Sequence, residues 1–140
     1  TYISSNDRTA IFEGGIEAGN RVPSRVDFTF TSAPVWIKVS RDQKNALAVS
    51  AEDKVVSNIF ESPKVTANIV NKTLNNIENL DVFIVLYDEE GNVMNVSKTF
   101  VQNLPKNSKV PVVFTWPEPL EKNPSVVDIF PQVNIFELGI

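Results

Sequence analysis

The chain contains no cysteine and no histidine. These two absences remove disulfides, thiol nucleophiles, zinc sites of the Cys/His type, haem ligation and every imidazole-dependent acid–base scheme. Glycine is sparse at 5 residues, and there are only 2 tryptophans. No run of 18 apolar residues exists, so no segment reads as a membrane-spanning helix. No segment reads as a signal peptide, and the sequence opens on Thr1 without methionine. We therefore expect a processed product or a fragment, with any leader or anchor upstream. Lys plus Arg is 13 and Asp plus Glu is 17, a net charge of -4. That balance makes nucleic acid an unexpected partner. The missing cysteines suit a cytosolic protein and an exported bacterial one equally well.

What remains is an ordinary globular composition, 42% apolar and 21% charged over 140 residues. That length suits one domain, or one domain and a fragment. It buries roughly two-thirds of the unfolded surface, enough for a core without staples. The dominant hydrophobic period is two. Residues 65–69 (VTANI) alternate as a half-buried strand does. Residues 80–87 (LDVFIVLY) are apolar on both faces and read as a central strand. Residues 109–116 put Val110, Val112, Phe114 and Trp116 on one face, with Pro111 pointing to an edge or a bulge. Further runs lie at 10–12, 26–30 (VDFTF), 35–39, 46–49, 55–60 and, broken by Pro131, 126–136.

Turn signals separate these runs at the spacing of sandwiches and barrels. Asp88-Glu89-Glu90-Gly91-Asn92 joins two strands, with Gly91 supplying a positive φ. Leu104-Pro105-Lys106-Asn107-Ser108 makes another turn, with Asn107 suited to the left-handed region. The nearest approach to a helix is 51–60, which Val55 and Val56 disfavour. The expected fold is all-β, an immunoglobulin-like antiparallel β-sandwich with at most one short helical turn.

The two ends of the chain resemble each other. Pro23-Ser24-Arg25-Val26-Asp27-Phe28 matches Pro124-Ser125-Val126-Val127-Asp128-Ile129, about 100 residues later. Thr1-Tyr2-Ile3 matches Thr99-Phe100-Val101 at a similar offset, and residues 10–12 fall opposite 110–112. That offset is the size of one immunoglobulin-like unit, so the chain is read as one and a half tandem units. Residues 1–38 would be the C-terminal half of a preceding sandwich or added edge strands, and 39–140 a complete one. Strands without sheet partners are templates for pairing.

Residues 65–73 (VTANIVNKT), 82–91 (VFIVLYDEEG), Leu104-Pro105 and Val112-Val113-Phe114 together resemble the FxLYD-type domain, an immunoglobulin-like module of exported bacterial proteins. The likeness covers roughly residues 63–116. Leu86-Tyr87-Asp88 keeps the signature, while Ile84 stands where phenylalanine is expected, and Pro105-Lys106-Asn107 replaces the usual Pro-Gly turn. Residues 11–16 (IFEGGI), 19–24 (GNRVPS) and 114–120 (FTWPEPL) are also similar to uncharacterised membrane-anchored tandem-sandwich proteins of uncultivated bacteria. Both resemblances imply an extracytoplasmic location with an upstream tether, and neither brings a catalytic residue.

Candidate chemistry is thin. Carboxylate pairs for glycoside hydrolysis, spaced about 5–9 Å, could be Glu13 with Glu17 or Glu118 with Glu121, but neither pair has an aromatic or polar surround. The acidic run 88–92 falls short of an EF-hand loop and reads as a solvated turn. Gly14-Gly15 and Gly19-Asn20 precede no helix, so they mark bulges or turns rather than a phosphate loop. No serine has a base partner at a known spacing. Trp36 and Trp116 are the binding candidates, able to stack on sugar rings if exposed and reading as core if not. Two sequons, Asn71-Lys72-Thr73 and Asn95-Val96-Ser97, are at chance frequency. The expectation is a non-catalytic structural or interaction module without cofactor or metal. It would meet a protein partner or its own copy through sheet edges, and a membrane only through a segment outside this chain. The alternative is a carbohydrate-binding module.

Overall fold

The computed structural model describes residues 48–134 without interruption, and residues 10–12, 16–17, 19, 24–33, 35 and 38 before them. Six strands run in order: β1 (Val49–Ser57), β2 (Lys64–Asn71), β3 (Ile77–Tyr87), β4 (Val93–Leu104), β5 (Ser108–Thr115) and β6 (Val126–Gln132). They form two antiparallel sheets of three, ordered β1-β2-β5 and β4-β3-β6. The all-β sandwich expected from the period-two pattern is the fold observed. The two-unit boundary after residue 38 falls between stretches, 36–37 and 39–47, that lie outside the described residues.

The central strands carry the core. On β2 the alternation turns Val65, Ala67 and Ile69 inward, all within 3% of full burial. On β3 the inward row is Leu80, Val82, Ile84 and Leu86. Between them lie Val101, Leu104, Val112, Phe114, Trp116 and Leu120. Each such side chain contributes roughly 1.5–3 kcal/mol by leaving water, so β2 and β3 hold the sheets together. Pro111 sits on β5, an edge of its sheet, where a missing amide donor costs no ladder bond.

Turn chemistry fits the connections. The β3–β4 hairpin closes with Asp88 N donating to Asn92 O at 2.9 Å and Gly91 N to Asp88 O at 3.1 Å, with Gly91 at φ 83. Asn107 adopts φ 49 where β4 crosses into the other sheet as β5. The helical turn allowed for within 51–60 is absent, and the described residues contain no helix. Instead one strand, β1, starts at Val49 and runs through Val55 and Val56 to Ser57, with a bulge between Glu52 and Val55. Asp53 takes φ 54 in that bulge, and its carboxylate accepts from Asn68 Nδ2 at 2.8 Å. The bulge shifts the alternation by one, which is why a single strand looked like two runs. Only the turn at 58–62 remains, where Asn58 O accepts from Glu61 N and Ser62 N.

Candidate functional site

Trp116 is 7% exposed, and its indole N–H donates to Val96 O at 3.0 Å. Its ring fills the space between β5 and β4, so it offers no face for stacking on a sugar. Trp36 lies outside the described residues, as do Glu13, Gly14, Gly15 and Asn20. Glu118 and Glu121 are exposed on the β5–β6 connection, and Glu17 is exposed in the N-terminal part.

The acidic turn is committed to structure. Asp88 Oδ1 accepts from Glu90 N at 3.0 Å and Asn92 N at 2.8 Å, and Oδ2 accepts from Lys122 Nζ at 3.0 Å. The Lys122 hydrogen bond, followed by the Asn92 backbone N–H, pulls the Asp88 carboxyl down to about 2. The same bond pushes the Lys122 ammonium up. Ser125 Oγ donates to Asp88 O at 2.6 Å, so one aspartate ties the hairpin to the entry of β6. Among the described residues no three acidic side chains gather as a metal site.

The first sequon is structural too. Asn71 is 1% exposed, and its amide donates to Asn75 O, Leu104 O and Pro105 O at 2.9–3.1 Å. Its Oδ1 accepts from Thr73 N, and Thr73 Oγ1 exchanges hydrogen bonds with Asn75. This residue pins the β2–β3 connection to the end of β4. The sequence carries a signal of this role, a polar residue at an inward position of β2.

What the described residues leave uncommitted lies at one side of the sandwich. β1 has only β2 as a neighbour, and β6 only β3, and these two edges face each other. Lys54 Nζ reaches across and donates to Val127 O at 2.7 Å, so that carbonyl points away from β3. Backbone direction repeats every two residues, so Ile129 points the same way, and Pro131 brings no donor to the edge. Inward-facing Val49 and Ala51 on β1, and Val127, Ile129 and Val133 along β6, stay only partly buried. At one end of the gap opens a cleft of about 530 Å³ lined by Val56, Ile59, Phe60, Asn123 and Pro124 among others.

The outer faces differ as well. Sheet β1-β2-β5 turns out mostly polar residues, including Lys64, Thr66, Asn68 and Lys109. Sheet β4-β3-β6 turns out Phe83 and Val85, with Val96, Lys98 and Phe130 beside them. Phe83 is 4% exposed because Phe12 stacks on it, centroids 5.4 Å apart, while Lys98 Nζ lies 5.5 Å from the same ring. Gln132 Nε2 donates to Ala10 O at 2.5 Å, holding the same N-terminal residues. Comparison with protein-family models, curated proteins and solved structures finds no match for the chain.

Proposed function

We propose that the chain is a non-catalytic, immunoglobulin-like interaction module that acts outside the cytoplasm by pairing sheet edges with a protein partner or another copy of itself. The single observation that carries this reading is the β1/β6 side, where two edge strands flank half-buried core residues. Exposed edges of this kind recruit further strands through backbone hydrogen bonds, with alternate side chains giving specificity. The strand order supports the immunoglobulin-like assignment. First, second and fifth strands form one sheet, third, fourth and sixth the other, which leaves the place beside the sixth for a seventh. The likeness to the FxLYD-type domain is in keeping with this. Its segments fall on β2, on β3 with its hairpin, on the β4–β5 crossing and on β5. That likeness also supplies the proposed exported, bacterial setting.

The test is solution mass by light scattering after gel filtration, across concentrations, with amide hydrogen exchange on the same samples. We expect larger species to form with rising concentration and exchange at the edge strands to slow in step. Assembly that leaves the amides of all four edge strands unchanged would sink the edge-pairing reading.

A further inference from the structure

Residues 24–33 are exposed and belong to no strand, and the sequence of 26–30 has the alternation of one. Val26, Phe28 and Phe30 fall on one side and are 84%, 71% and 62% exposed. Phe28 and Phe30 pack edge to face, centroids 4.9 Å apart, as side chains two apart on one strand face can. On the other side Arg25 and Asp27 form an ion pair at 2.6 Å. No described strand pairs with this segment. Three large apolar groups in strand alternation, left in water, form a pairing surface. Among the described residues a matching place stands open between β1 and β6.

We propose that residues 26–30 of one copy add as a strand to the open edge of β6 in a second copy. This rests on the edge-pairing reading above and names its partner and its strand. The fit is specific. Five residues span about 17 Å in extended form, within the reach of the seven-residue β6. The donor's apolar side turns inward over Val127 and Ile129, and its Arg25/Asp27/Thr29 side stays in water. The donor backbone meets the outward N–H and C=O groups of Val127 and Ile129, and Lys54 gives up Val127 O and swings into solvent. The sequence of the donor favours a strand, because the run Pro124-Ser125-Val126-Val127-Asp128-Ile129, which it resembles, leads into β6 itself. The donor is exposed in its own chain, which points to a second copy as acceptor. Reciprocal exchange closes as a two-fold dimer, and one-way exchange propagates as a ladder.

The experiment compares the wild-type chain with Phe28→Asp/Phe30→Asp, two exposed positions whose change leaves the sandwich core untouched. A peptide of residues 24–33 is then added to the variant, and amide exchange is read at Val127 and Ile129. We expect the variant to associate at least tenfold more weakly than wild type. We expect the peptide to bind it and slow exchange at those two amides. A variant that associates as wild type does, or a peptide that protects no β6 amide, overturns the proposal. In the first case, edge strands protected in the wild-type assembly would keep the edge-pairing reading alive while this donor assignment falls. An assembly without protection at any edge would remove both.

Discussion

A carboxylate that accepts a lysine hydrogen bond and two backbone N–H groups is stabilised in its ionised form, and Asp88 does this at the end of β3. Its folded value of about 2 lies below the ordinary 3.8. The folded state therefore gains stability from Asp88 above pH 4 and loses it as the pH falls from about 4 towards 2. Denaturation followed over pH 2–6 should show this loss in wild type, and a flatter profile in Asp88→Asn. Asn71 makes a different prediction. Removing its amide strands three buried or half-buried carbonyls, so Asn71→Ala should cost on the order of 3 kcal/mol in urea unfolding. For the same reason Asn71 should stay unmodified when the folded protein meets a glycosyl-transfer system, as mass spectrometry would report. For Asn71 the sequence carries one sign, a polar residue at an inward position of β2, and none of its three partners. The turn at 88–92 was legible, but the lysine that holds it comes from the β5–β6 connection, 34 residues away, and spacing does not encode such a partner.

Among the elements, the period-two signal was enough to place β2 and β5, while β3 was marked by a run apolar on both faces and β6 by a broken apolar run. Alternation marks a face only where one side meets a core, and β2 and β5 do. It failed at β1 because the bulge at Asp53 moves the apolar positions to the other parity. The apolar run of β3 reads correctly as a central strand, although its outer face meets Phe12 rather than a third sheet. Two substitutions separate the faces. Ile84→Ala empties a fully buried site and should cost about 2–5 kcal/mol. Thr66→Ala, on the outer face of β2, should stay within about 0.5 kcal/mol. Urea midpoints at constant slope would check both. Gly91→Ala places a side chain at φ 83 and should destabilise the hairpin by about 1 kcal/mol, although its Cβ meets nothing.

For the molecule as a whole, the N-terminal residues clasp the outer face of one sheet through the Phe12–Phe83 stack and the Gln132–Ala10 hydrogen bond. Phe12→Ala should uncover Phe83, lower stability by about 1 kcal/mol and raise the binding of a hydrophobic dye. A dye signal unchanged from wild type would show that Phe83 is covered by other means. The sheet order carries a separate consequence, for the sequence of events in folding. β3 finds β4 across a five-residue turn, but both sheets need partners brought from far along the chain, β5 to β2 and β6 to β3. Loop closure of that length is slow compared with a hairpin. As the chain emerges from its N-terminal end, the β3–β4 hairpin is complete while the far side of β3 still waits for β6. During that interval the most apolar of the described strands has one bare side, and whatever strand reaches it first decides between a finished sandwich and a mispaired one.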